Sequence, residues 1–343
     1  MNGRFADHRH ARGALRFMAA AVFTLPVSAI GACDRTSNNR HRDFEPVRIL
    51  VIGEGKDESS WPVIEATGRA FESAHPRVTV ITESPAVASP KEQKALLKGA
   101  LTRGFDAVCV LPVPSDALRG SVSEIANAGV PIILIGRDIK DSQRSAYSGP
   151  SQSELGRATA TACGKVLENR SRTIMLLHAN ESNHHNSDRF RGFMQELPVV
   201  GGVHIVREMN CDGESSRALQ LCKSESRKYP RVGCWVLLDD WPLRVLRPED
   251  RLFGLGITIV LCNADPAHWP RMEDGQIQAM VAYDLQAALQ EGLSTAFRMT
   301  RPDDKRFVTE VHIESEVITE DNFAEFRTRW ALWRQGRPSP RDP

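Results

Sequence analysis

AVCVLPVPSDALRGSVSEIANAGVPIILIGR, residues 107–137, reads as an apolar run, a proline-bearing turn, a helical stretch and a second apolar run. Ala107 to Leu111 and Pro131 to Ile135 carry no charge, the pattern of strands buried on both faces of a parallel sheet. Asp116 to Ala128 reads as the helix between them, and Gly129 is placed to end it. A strand, a crossover helix and a strand in that order is what parallel neighbours require.

The same alternation extends in both directions. Upstream lie a strand from Val47 to Gly53, a helix from Trp61 to His75 stopped by Pro76, a strand from Val78 to Thr82 and a helix from Glu92 to Thr102. Downstream, a second series opens near Pro150. It runs through helices Ser153 to Glu168, Ser187 to Leu197 and Glu214 to Tyr229, with strands Thr173 to Leu177, Val203 to Val206, Gly233 to Leu238 and Gly256 to Cys262. Gln276 to Ala282 then reads as a strand, Leu285 to Arg298 as a helix and Phe307 to Val317 as an extended segment. The expectation is an α/β protein with two Rossmann-like lobes, each a parallel sheet covered by helices. The residues from 321 onward are less periodic and read as a tail whose end is disordered.

The chain has 343 residues, with 44 Lys and Arg against 43 Asp and Glu. Charges this closely balanced give no basic groove, so nucleic acid is excluded as a partner class. The first residues differ in kind: Arg4, Arg9, Arg12 and Arg16 precede an uncharged apolar stretch from Phe17 to Ile30, the layout of a signal peptide. The stretch is short for a membrane span and contains Pro26. It closes on Ile30-Gly31-Ala32-Cys33, which resembles a bacterial lipobox. Residues 1–32 are therefore expected to be a lipoprotein signal peptide, Cys33 the lipidated first residue of the mature chain, and residues 33–46 a polar tether. The location so implied is the periplasm or the outer face of the cytoplasmic membrane. The remaining cysteines have no metal-ligand spacing, and pairing of Cys211 with Cys222 stays open.

In open parallel sheets the ligand crevice lies beyond the carboxyl ends of the strands. The residues expected there are Glu54 to Trp61, Pro112 to Asp116, Arg137 and Asp138, His178 to Arg189, Asp239 to Trp241, Asn263 and Asp265, and Tyr283 and Asp284. Carboxylates, guanidinium groups, amides and aromatics in one place suit a small polyhydroxylated solute. The set contains no aligned nucleophile, base and orienting acid, so no catalytic residue is assigned; Glu54, Asp239 and Asp240 are the only local candidates for a hydrolase or isomerase. No metal site is assigned either, since His178, His184, His185 and Asp188 fall in or beside an irregular polar loop. Gly53-Glu54-Gly55 lacks the third glycine of a dinucleotide loop, and no cofactor is expected.

Four stretches together resemble the type I periplasmic binding proteins, in particular the ribose- and galactose-binding group of sugar ABC-transporter receptors. They are ILVIGEGKDESSWPVIEATGRAFE (49–72), LTRGFDAVCVLPVPSDALRGSVSEIANAGVPIILIGR (101–137), SDRFRGFMQEL (187–197) and ITIVLCNADPAHWPRMEDGQIQAMVAYDLQAAL (257–289). The resemblance covers roughly Val47 to Ile318. It implies two lobes joined by three crossings, with residues 47–149 and 284–308 in one lobe and 150–283 and 309–320 in the other. It implies a monomer that delivers a monosaccharide or sugar-like solute to an ABC permease; reporting to a membrane signalling partner is the alternative. By position, Trp61 is implied to stack on the sugar, Arg137 to donate to its hydroxyls and Arg189 to bind from the second lobe. Asp239 falls where the family has asparagine, Asn263 where it has aspartate, and Tyr283 where a polar group is common. Gly136 replaces an acidic residue, leaving Asp138 or Asp116 to supply the acceptor.

Overall fold

The computed structural model describes residues 46–338, apart from 115, 169–170, 180–183, 248, 255 and 302–307. The expected signal peptide, Cys33 and the tether lie outside the described residues. No helix among the described residues is long and apolar enough to cross a membrane.

The described residues form two six-stranded sheets. The first is built from β1 (Val47–Ile52), β2 (Val78–Glu83), β3 (Ala107–Val110), β4 (Ile132–Ile135), β5 (Ala146–Gly149) and β11 (Glu310–His312). The second is built from β6 (Thr173–His178), β7 (His204–Asn210), β8 (Cys234–Leu237), β9 (Thr258–Leu261), β10 (Ile277–Tyr283) and β12 (Ser315–Ile318). The spatial orders, β11-β5-β4-β3-β1-β2 and β12-β10-β9-β8-β6-β7, are the same pattern used twice. Every pairing is parallel except β10 with β12.

Helices α1 (Trp61–Ala74), α2 (Pro90–Thr102), α3 (Arg119–Asn127) and α8 (Leu285–Met299) belong with the first sheet. Helices α4 (Gln152–Val166), α5 (His184–Val200), α6 (Ser215–Lys228) and α7 (Trp269–Glu273) belong with the second. The uninterrupted apolar runs did become strands with both faces covered, since β3, β4, β8 and β9 are buried at every residue.

Each sheet reverses its strand order at one place, between β1 and β3 in the first and between β6 and β8 in the second. That reversal opens a crevice at the strand ends. Gln93 on α2 closes the bottom of the first one. It is fully buried, donates to the carbonyls of Gly53 (2.7 Å) and Leu111 (2.8 Å), and accepts from the Val113 amide. One side chain thus ties the loop after β1 to the loop after β3.

Three features depart from the expectations. Residues 146–149, which the sequence reading left without a strand, form β5 inside the first sheet before the chain crosses at 150–151. The last crossing falls at 313–314 and not earlier, because Glu310–His312 first pairs with β5. The tail contains a helix, α9 (Glu320–Trp333), opened by a capping box in which Thr319 and Asn322 bond reciprocally. Among the described residues every cysteine is free and buried, Cys211 and Cys222 included.

Candidate functional site

A cavity of about 620 Å³ lies between the carboxyl ends of the two sheets. Its wall contains Glu54 and Glu58 from the loop after β1, Arg137 after β4, Asp239 and Asp240 after β8, Asn263 and Asp265 after β9, and Tyr283 at the end of β10. The sequence placed all of these beyond strand ends, and the topology turns both sets of ends toward one space.

Among the described residues Arg137 has the most unmet bonding capacity. Its Nε and Nη1 are buried without a hydrogen-bond partner. A buried guanidinium left so is costly unless something else supplies acceptors. Its orientation rests on Gly136, which has φ +72° and leaves room for the Tyr283 hydroxyl; a Cβ there would come within 2.5 Å of that oxygen. The acidic residue that the resemblance leads one to expect at 136 is therefore excluded by strain and by Tyr283 together.

Glu54 faces the same space. Burial pushes its carboxyl up to about 7, with Arg137 opposing and Glu58 adding to the rise. In the folded chain Glu54 keeps its proton up to near neutrality, whereas the unfolded chain releases it around 4.5. The folded state binds the extra proton in that window, so this group's contribution to stability is present at acid pH and is lost as pH rises through about 7. Denaturant titrations of solute-free protein at about pH 5 and about pH 8 are expected to show this loss, and Glu54→Gln to reduce it. An unaltered pH dependence in Glu54→Gln would contradict the assignment.

Arg189, on α5, reaches the cavity wall but is heavily engaged. It is 6% exposed, donates to the Leu238 carbonyl (2.6 Å) and to Gln152 Oε1 (2.7 Å), and lies 3.3 Å from Asp239. Burial alone would raise the Asp239 carboxyl, yet Arg189, then Arg244 and Arg137, outweigh it and hold the group well below the usual carboxylate range. Asp239 also accepts from the amides of Asp240 (2.9 Å) and Asn263 Nδ2 (3.4 Å). Asp240 beside it is held by Arg244 (2.5 Å) and His268 Nε2 (2.9 Å). The second half of the wall is thus a preset network of paired charges.

Several expected residues lie elsewhere. Trp61 does begin a helix, but its ring packs on Gly53 within the apolar core, away from the cavity wall. Asp138 accepts from Arg144 (2.5 and 2.9 Å) and from the Ile139 amide, and does not line the cavity. Asp116 pairs with Arg119 at the surface. Asp265 caps the turn ahead of α7 and also accepts from the Ser59 hydroxyl, a bond between the two halves. The sequence reading missed Arg244, His268 and Arg271 in the wall; only Arg244 had a local signal, its i+4 spacing from Asp240. It also missed Phe326 and Trp330, both contributed by α9.

A family model described as a periplasmic binding protein domain matches residues 49–301. No curated protein sequence matches the chain. Among solved structures, a solute-binding protein of an ABC transporter from Burkholderia graminis C4D1M, in complex with D-arabinose, is 15% identical with a TM-score of 0.67, covering 81% of this chain and 96% of its own. A glucose-galactose binding protein from Geobacillus stearothermophilus is 17% identical with a TM-score of 0.67, covering 81% and 99%. A solute-binding protein from Bacillus halodurans C-125 with bound myo-inositol is 19% identical with a TM-score of 0.66, covering 83% and 98%. At these identities the likeness is one of fold.

Proposed function

The chain belongs to the periplasmic binding protein family, and we propose that it captures a sugar in the cavity between its two halves and delivers it to an ABC permease in the membrane. The family and the similar structures are solute-binding proteins, with no catalytic step in their role. The observation that carries the sugar reading is the pairing of unmet donors on Arg137 with the protonatable Glu54 in one buried space. Hydroxyl groups both donate and accept, so a polyol satisfies a guanidinium and a carboxyl group at once. The bound sugars of the similar proteins agree with this chemistry.

Binding in such a cavity requires the halves to part and close about the three crossing segments. Solute stabilises the closed arrangement, in which both halves touch it. Ser59 and Asp265 bond the two halves directly. Ser59→Ala is expected to weaken sugar affinity about two- to tenfold by lowering the closed population; a titration showing no change would contradict that role. Both cavity walls come from one chain, which suits a receptor acting as a monomer.

We also assign Cys33 as the lipid attachment point, which keeps the receptor at the membrane beside its permease. Cys33→Ala is expected to abolish incorporation of labelled palmitate and to move the protein out of the membrane fraction. Undiminished labelling would contradict it. The receptor reading itself is tested by calorimetric titration of the mature chain against pentoses, hexoses, inositols and sugar acids. Saturable binding of at least one at a stoichiometry of about one is expected, and no binding across that panel would overturn the proposal.

A further inference from the structure

We infer that the cavity is built for a carbohydrate of two linked rings, with α9 supplying the wall for the second ring; this rests on the sugar-receptor reading above. The cavity, at about 620 Å³, falls in the range of sites that enclose ligands larger than one sugar ring.

Buried polar atoms without a partner occur in two places in this wall. One is Arg137, described above. The other is the side of the wall formed by His268 and Arg271, which are 3% and 1% exposed. His268 spends Nε2 on Asp240 and Arg271 spends Nη2 on the Arg247 carbonyl (2.6 Å), while His268 Nδ1 and Arg271 Nε remain buried without a partner. Arg271 sits among its own charged neighbours, Asp274, Asp250 and Glu249. Glu54 feels Arg137, Glu58, Arg244 and Asp239, whereas Arg271 feels Asp274, Asp250 and Glu249, so the two groups have separate charged surroundings.

Leu246 and Trp330 line the cavity as well, with the fully buried Phe326 packed against Trp330, and the C–H face of a sugar ring packs on an aromatic surface while its rim makes hydrogen bonds. Phe326 and Trp330 belong to α9, beyond the residues that the family model matches. The helix is fixed from both sides. Arg327 pairs with Glu273, Arg329 with Glu316 (2.5 Å), and Trp269 makes edge contacts with Phe323, Phe326 and Trp330. At its other end Gly336 packs so closely on Ala66 of α1 that a Cβ would come within 2.6 Å of the Ala66 carbonyl oxygen. A wall fixed in this way is a preformed surface for a ring.

The test is calorimetry on the mature chain with maltose, cellobiose, lactose, melibiose, gentiobiose and trehalose, each beside its component monosaccharides. At least one disaccharide is expected to bind about tenfold or more tightly than either component. Trp330→Ala is expected to lower disaccharide affinity about tenfold more than monosaccharide affinity, and Trp330→Phe to retain most of the advantage. Thermal melts of both variants verify folding, and Trp330→Leu, with the same expected loss, carries the test if Trp330→Ala does not fold. Monosaccharides that match or exceed every disaccharide overturn the two-ring inference and leave the receptor reading standing, as does a Trp330 variant that weakens both classes equally. No binding of either class overturns both.

Discussion

Arg137→Ala is expected to lower sugar affinity by about two to three orders of magnitude. The guanidinium enters the cavity with Nε and Nη1 buried and unpaired, so its desolvation is already borne by the folded chain before any solute arrives. A sugar that accepts from those nitrogens replaces the water they lost, through bonds to a charged donor, which are the stronger kind. Lysine does not restore the geometry, because one ammonium cannot present two nitrogens in a plane. Asp138→Asn is the matched control: it disturbs a nearby ion pair with Arg144 that lies off the cavity wall, and affinity should stay within about threefold. Equal losses in the two variants, measured by calorimetry, would mean that Arg137 acts through the fold and not through contact.

Gly156→Val is expected to cost about 3 kcal/mol of stability, a fall in melting temperature of roughly 5 °C for a chain of this length. Helices α4 and α5 meet backbone to backbone. A Cβ on Gly156 would lie 2.0 Å from the Arg189 carbonyl oxygen, and one on Gly192 would lie 2.0 Å from that of Ser153. Neither helix can yield alone, because Phe193 and Cys163 behind them are fully buried. The clash falls on the residue that anchors the charge network, so Gly156→Val should disturb Asp239 and sugar binding as well. Gly120→Ala offers the contrast, since a Cβ there meets nothing within 4 Å and should leave the melting temperature nearly unchanged. A Gly156→Val protein melting with the wild type would refute the packing account.

The parallel sheets were legible because strands buried on both faces must be apolar throughout, and runs such as Pro131 to Ile135 admit few other readings. Strand β5, Ala146-Tyr147-Ser148-Gly149, was not. Its serine hydroxyl is satisfied by the Ala288 carbonyl at 2.9 Å, a partner from α8 that no local pattern reveals. The same limit hid the state of Arg189. Its place at the cavity followed from the Arg-x-x-Gly-Phe stretch, but its engagement with Leu238 and Gln152 depends on contacts far apart in sequence.

Trp61 shows how a correct element can carry a misplaced side chain. Its helix starts where expected, and the space left by Gly53 draws the ring inward. Asp239 and Asn263 illustrate the reverse. Each departs from the family type at its position, yet the two sit together at 3.4 Å, so the exchange keeps one carboxylate and one amide in the same place. In α9, Phe323, Phe326, Trp330 and Trp333 do recur at helical spacing, but charged residues between them weaken the stripe, and its role needs the positions of α1 and α7.

The most direct test is a crystal structure of the protein purified from its native host with its solute retained. The account predicts density for one carbohydrate enclosed between the two sheets, with oxygen atoms at about 2.7–3.2 Å from Arg137 Nε or Nη1 and from Glu54. A solute bound outside that space, or enclosed there with Arg137 turned away from it, would contradict the account.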